Sequence, residues 1–348
     1  MLDTRQIFSR SDLLTVEGQL QSGFAQYGGF MYHPKILAHA TPETPDYALA
    51  VRDWFSCNVI EKMNNEEQSN LALSYLTGQK NLLNTDQKEK LRLVGLAHVV
   101  VASGYHLSVV VNLAKKRFGR ISRFATLAGA LLLLTLYISV TGFTASMERA
   151  GLVTALSLLA WYFGRKFHPM RLLIFVAAIT LLINPNNVSN LAWQLSFASY
   201  SGIIILTPLL IKFFYGERKP GYFANLIIAS VSAQIFCLPL TIYTFGSISG
   251  LAILANVLVT PTIPLVMLLT FLLGITAWSS LAFLAGILTQ LHLNIIDYIA
   301  SIPWASLNVG GQNTAIFALY IPVLIMILLL KRSTKHSFRP SYAKIYTC

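Results

Sequence analysis

Of 348 residues, 55% are hydrophobic and only 11% charged, and the mean hydropathy is +0.59. A soluble domain of this size rarely shows that balance, so water is not the main solvent of the chain. The formal charge is +12, yet 11 of the 14 acidic residues precede residue 93 and leave only Glu148, Glu217 and Asp297 beyond it. The chain therefore divides into a polar front, residues 1 to 92, and an almost continuously apolar remainder.

In the front, Leu14, Val16, Gly18 and Leu20 alternate with Thr15, Glu17 and Gln19, the period of a half-buried strand. From Asp46, a plausible N-cap, Val51, Trp54, Phe55 and Val59 recur at helical spacing and predict an apolar face. A second helix is predicted over 66–76, stopped by Gly78 as a C-cap. Faces of this kind pack on protein more often than they lie in a membrane interface. No repeat of 20 to 50 residues is visible.

From residue 93 onward, nine apolar stretches approach the length of about 20 residues that lets a helix cross a bilayer. They cover 93–113, 124–142, 149–164, 172–184, 191–212, 222–243, 250–276, 279–301 and 314–330. Basic residues alternate between the loops. Lys115, Lys116, Arg117, Arg120 and Arg123 follow the first stretch, Arg165, Lys166 and Arg171 the third, and Lys212, Arg218 and Lys219 the fifth. Lys331, Arg332, Lys335, Arg339 and Lys344 follow the last, and the loops near 144, 187, 247 and 307 carry none apart from Arg149 at a span's edge.

Positive loops stay cytoplasmic, which expects the polar front outside, the C-terminus inside and an odd number of spans. Since the first 30 residues hold no signal-peptide core, the same reading expects the export signal upstream and this frame to be truncated or divergent. The basic residues serve first as topology signals and by themselves do not identify a nucleic-acid cargo. Cys57, Cys237 and Cys348 suggest no pair, so neither a disulfide nor a metal site is expected.

The start of the first span reads Gly95-Leu96-Ala97-His98-Val99-Val100-Val101-Ala102-Ser103-Gly104-Tyr105-His106-Leu107. This resembles the signature of the ComEC-type competence channel family, roughly Gly-x-x-His, four apolar residues, then Ser-Gly-x-His. Four further stretches follow in the family's order. They are Gly142 to Ala150, Asn184-Pro185, Gln194-Leu195-Ser196-Phe197, and a run from Gln234 through Pro239, Tyr243, Phe245 and Gly246 to Leu254-Ala255-Asn256 and Pro261. Glu148 departs from the usual apolar position and sets a negative charge beside Arg149.

The resemblance implies an all-α polytopic membrane protein of about nine transmembrane helices in the cytoplasmic (inner) membrane. It implies a partial oligonucleotide-binding-type (OB-like) α/β region at 1–45, amphipathic linker helices at 46–92, the channel domain at 93–331 and a basic cytoplasmic tail at 332–348. The implied function is uptake of single-stranded DNA during natural transformation. The implied partners are the lipid bilayer, an external DNA receptor, and a cytoplasmic ATP-dependent motor with single-strand DNA-binding proteins. A nuclease, where present, would be separate, because the chain holds no His-x-His-x-Asp-His motif. No cofactor is implied, and Gly-rich phosphate loops, paired catalytic carboxylates and nucleophile elbows are absent, so no enzymatic activity is expected.

A strand crossing lipid needs polar groups along its route. His98, Ser103, Gly104, His106, Arg149, Gln194, Ser196, Gln234 and Asn256 are the candidate path-lining residues, each in apolar surroundings. A charge at mid-bilayer costs on the order of 2.5 to 3.5 kcal/mol on insertion scales, so its retention points to a wet cavity or a partner. Against this, Gln194, Gln234 and Asn256 could equally be hydrogen-bonded between helices. His98 and His106 would point about 80° apart on an ideal helix, which argues against a shared metal. Pro261 and Pro264 predict an interrupted helix at 250–264, a second candidate pore element. A small-molecule or lipid transporter and a non-conducting membrane scaffold are the competing classes.

Overall fold

The computed structural model describes residues 13–22, 29–40, 47–100, 107, 111, 114–116, 118–141, 145–165, 167–310 and 313–334. It is mostly helical, with a small strand region at its start. Strand β1, Leu13–Ser22, pairs antiparallel with β2, Gly29–Ala40. The alternation over 14–20 marks β1, while β2 carried no such signal.

Helix α1, Tyr47–Met63, is followed by α2, Glu66–Thr77. Local chemistry sets both ends of α2. The Asn65 side chain accepts from the Gln68 backbone N–H, Glu66 and Glu67 sit in the positive first turn, and Gly78 closes the helix in a left-handed conformation at φ 72°. Helix α3, Thr85–Leu93, starts with a reciprocal capping box between Asn84 and Gln87. The first span was expected to begin at residue 93. Instead Gly95, at φ 79°, turns the chain after α3, and Val94 to Val100 form a sequence of turns.

The apolar stretches then form α4 Arg123–Thr141, α5 Ala145–Tyr162, α6 Pro169–Ile183, α7 Leu191–Tyr215 and α8 Tyr222–Phe245. Further along come β3 Ser247–Ser249, α9 Ala252–Val259 and α10 Ile263–Thr276, then α11 Ser279–Ala300, β4 Ser306–Asn308 and α12 Tyr320–Ser333. Among the described residues five helical segments are long and apolar enough to cross a membrane: 191–215, 222–245, 252–276, 279–300 and 315–333. The 252–276 segment is interrupted by a 3-10 turn at Thr260–Thr262, where Pro261 removes a backbone donor.

The largest core joins the polar front to the apolar remainder. Val59, Leu71, Leu73 and Tyr75 pack with Ala255, Val259, Ile263, Leu273, Ala285 and Ile299. All of Ser69 to Tyr75 is buried, so α2 is enclosed on every side rather than carrying one dry face. Its serine and threonine hydroxyls are satisfied locally, Ser69 donating to the Glu66 carbonyl, Ser74 to Gln79 and Thr77 to Leu73, whereas the buried Tyr75 hydroxyl has no partner among the described residues. Two other contacts fix the arrangement. Phe55 of α1 packs on Phe271, where Gly274 leaves room for its ring, and Asn58 Nδ2 donates to the Gly274 carbonyl at 2.8 Å.

Strands β3 and β4 pair antiparallel, with Gly250 N–H bonding Ala305 O and Val309 N–H bonding Gly246 O. The two Lys- and Arg-free loops near 247 and 307 therefore join, tying the end of α8 to the end of α11.

Candidate functional site

Arg149 lies in the first turns of α5, and the charge is only 8% exposed. Its Nε donates to Ser196 Oγ on α7 at 2.6 Å, and its guanidinium carbon stands 4.9 Å from the Tyr200 ring centre and 5.9 Å from that of Phe197. Ser196 and Tyr200 are four residues apart on one face of α7, so a single helical stripe supplies both hydroxyl and ring. Desolvated cation–π contacts contribute about 2 kcal/mol or more, and a hydrogen bond to a charged group about 1.5–3 kcal/mol. These contacts occupy Nε and the flat faces, and among the described residues no partner takes the terminal Nη groups. The site can therefore offer a forked pair of N–H donors to an anion. Glu148 is half-buried and makes no described ion pair with Arg149.

A second cluster gathers around Gly95. A Cβ there would stand 2.5 Å from Ala252 Cβ and 3.1 Å from Ser249 Oγ, so only glycine admits α9 and β3 this closely. His98 is exposed in the turns after Gly95, and its Nδ1 lies 3.0 Å from the Gly95 carbonyl. A carbonyl accepts only, so Nδ1 carries the proton and Nε2 presents a lone pair. Gln234 of α8 donates from Nε2 to Ser249 O at 3.2 Å. Asn256 stands one turn after Ala252 on the same face of α9, and its Oδ1, like Ser249 Oγ, is buried with no partner among the described residues.

The signature motif links these clusters at its described ends. Val99 and Val100 pack in the core with Ala255 and Val259, and Leu107 packs with Leu134, Met147 and Ala150 at the start of α5. Ser103, Gly104 and His106 lie outside the described residues. The helices also share a level, because Cys237 reaches the Leu195 carbonyl at 3.6 Å and Gly202 faces Ser232 O. That antiparallel register sets Gln234 beside the Ser196 to Tyr200 segment. Gln194 is held apart from both clusters, its Nε2 donating to Val188 O at 2.6 Å and clamping the 3-10 turn Pro185–Ser189 onto α7.

Two polar groupings were not anticipated. His292, fully buried on α11, meets Thr262 Oγ1 at 2.6 Å through Nε2 and Tyr75 edge-on at 5.6 Å. Thr262 Oγ1 also lies 2.9 Å from Val259 O, and His292 Nδ1 has no partner among the described residues. Gln68, Gln290 and Asn294 form the other grouping along α2 and α11. The i, i+4 spacing of Gln290 and Asn294 inside an apolar helix was a legible signal. Asp297, one turn on, bonds Lys90 at 3.0 Å beside Asp86 at 2.6 Å, and the two carboxylates push the Lys90 ammonium up to about 12. Among the described residues no three His, Cys, Asp or Glu side chains gather as a metal site requires.

A profile of the family described as Competence protein matches residues 75–334. ComE operon protein 3 of Bacillus subtilis (strain 168) is 26% identical over 171 residues, 48% of this chain and 21% of that protein. The matched segment is thus about a fifth of the relative's length. No solved structure matches the chain. With three quarters of its length under one profile, and Gly95, Arg149, Ser196 and Asn256 within it, the chain belongs to the competence protein family of the ComEC type.

Proposed function

We propose that this chain forms the membrane route by which single-stranded DNA enters the cell during natural transformation. The observation that carries this reading is Arg149, a buried cation pinned through Nε and its ring faces while its Nη donors remain unclaimed among the described residues. That geometry suits a phosphate, which accepts forked N–H bonds. Tyr200 and Phe197 hold the guanidinium from the same wall, which orients its free edge toward a passing strand without reading any base. Asn256 and Ser249, whose buried polar atoms have no partner among the described residues, extend a polar line from this wall toward the turn at Gly95.

In this reading α4 to α12 and the segment around Leu107 and Val111 build about nine spans. The basic loops face the cytoplasm, as positive loops do, and Arg149 stands near the outer surface, where a receptor hands over the strand. A cytoplasmic ATP-dependent motor and single-strand DNA-binding proteins draw it inward, and a separate nuclease disposes of the complementary strand.

The test is uptake of labelled DNA by cells carrying Arg149→Ala protein at normal membrane levels. Losing hydrogen bonds to a charged phosphate, about 1.5–3 kcal/mol, corresponds to a fall of roughly 10- to 150-fold. Uptake equal to wild type would remove Arg149 from the route. A solute that accumulates through the protein while DNA does not would favour a small-molecule transporter instead.

A further inference from the structure

We infer that the cleft between α2 and α11 is a water-filled vestibule of the transport route, opening at the Ser279 end of α11. The inference rests on the DNA-uptake reading and adds a second set of residues to it. The cleft has a volume of about 870 Å³, and Gln68, Gln290 and Asn294 line it together with Asn64, Glu61 and Lys62.

Three observations support it. Gln68 Nε2 donates to Gln290 Oε1, and Gln290 Nε2 to Asn294 Oδ1, each at 2.8 Å, an amide ladder along a helix apolar enough to span a membrane. The open ends of that ladder, Gln68 Oε1 and Asn294 Nδ2, have no partner among the described residues. In hydrocarbon each unsatisfied polar group costs several kcal/mol, so the ladder must face water. Gly286 lets the Gln68 amide lie close against α11 at the cleft wall, since a Cβ there would stand 3.0 Å from Gln68 Oε1.

The depth of the cleft follows from register. Gln68 meets Gln290 and Gly286, while Tyr75 meets His292 farther along α11, so α2 runs parallel to α11. The α1–α2 turn at Asn64 and Lys62 then lies at the Ser279 end, and Lys90 at the Asp297 end. In the topology proposed above, the Ser279 end is on the side of the basic loops, so α1 and α2 dip between the spans and carry their turn to that side although the chain before α1 stays outside, which makes this vestibule an exit.

The wall chemistry fits a passing strand. Lys62 pairs with Glu61 at 3.3 Å, which leaves the lining without net charge, and Glu66 and Glu67 stand on the first turn of α2, outside the lining. Conduction needs contacts weak enough to release the permeant. Amides meet base edges as donors and acceptors without trapping phosphate as lysines and arginines would.

The experiment has two arms on the full-length protein. In the first, Gln290→Cys and the lipid-facing control Leu284→Cys are placed in a Cys57→Ser, Cys237→Ala, Cys348→Ser background. They are exposed to a charged, membrane-impermeant maleimide in inside-out and right-side-out vesicles. Gln290→Cys is expected to label from the cytoplasmic side severalfold faster than Leu284→Cys. Equal, slow labelling of both overturns the vestibule whatever the protein transports.

In the second arm a photoreactive phenylalanine analogue at position 290 is irradiated in transforming cells, and covalent adducts with labelled DNA are counted against position 284. An adduct at 290 alone is the expected result. A labelled, hydrated cleft without adducts in cells that still take up DNA overturns the vestibule as part of the route and leaves the proposed function standing. Absence of DNA uptake by the unsubstituted protein brings down the function itself, and the strand-binding claim with it.

Discussion

Replacing Gly202 with valine should separate α7 from α8 and disable the wall that holds Arg149. Gly202 is buried in the middle of α7, and a Cβ built on it would stand 2.4 Å from the Ser232 backbone oxygen and 3.0 Å from Phe236 Cβ. A carbon does not approach a carbonyl oxygen closer than about 3.0 Å, so even alanine forces a displacement of roughly 0.6 Å, and the nearest obstacle is backbone, which cannot rotate away. Valine adds two methyl groups to that clash. Small residues let membrane helices meet at close range, and overfilling such a contact costs about 1–3 kcal/mol.

The displacement acts where α8 carries Gln234 and Cys237, so the bonds to Ser249 O and Leu195 O stretch together. The assay pairs thermal unfolding of the purified protein in detergent with transformation frequency at matched membrane levels. Stability should fall from glycine through alanine to valine, with transformation falling in the same order. A Gly202→Val protein with wild-type stability would refute the close contact of α7 with α8 and the register that levels Gln234 with Ser199.

Three more outcomes are expected. Gly95→Ala combines a left-handed backbone, which costs an L-residue about 1–2 kcal/mol, with a clash on Ala252, and should lower the amount of folded protein recovered from membranes. Thr262→Val leaves His292 with both ring nitrogens unpartnered, whereas His292→Phe removes both. Thr262→Val should therefore melt at the lower temperature, because an orphaned buried group costs about 1–3 kcal/mol and a lost hydrogen bond less. Lys90→Met cuts the tie between α3 and Asp297, a partly exposed pair contributing at most about 1 kcal/mol, so melting should shift only slightly. The raised Lys90 pKa means that its contribution is complete below the ordinary lysine value near 10.5 and fades as pH climbs toward 12, which a pH series of melts on wild type and Lys90→Met would detect.

The sequence alone determined the apolar helices. Length, composition and loop charge are local, and a helix in lipid closes its own backbone hydrogen bonds, so runs such as 191–212 and 222–243 correspond to α7 and α8 within a few residues. The end of α2 at Gly78 and the break at Pro261 were legible for the same reason, since each follows from the backbone preference of one residue. A similar signal at Gly95 was overlooked: its left-handed turn ends α3 before the first span can start and takes His98 out of a helix.

Only the tertiary structure decided what surrounds the polar residues. Gln68 and Gln290 are 222 positions apart, Asn58 and Gly274 are 216, and Arg149 finds Ser196 across 47. Composition marks these side chains as costly in lipid, but which partner relieves the cost depends on helix contacts that no local pattern encodes. Enclosure of α2 between α10 and α11 is the plainest case. Its Ser69, Asn70, Ser74 and Thr77 read as the polar side of an amphipathic linker helix, yet bonds made within the helix and to Gln79 satisfy the serine and threonine hydroxyls and allow it into the core.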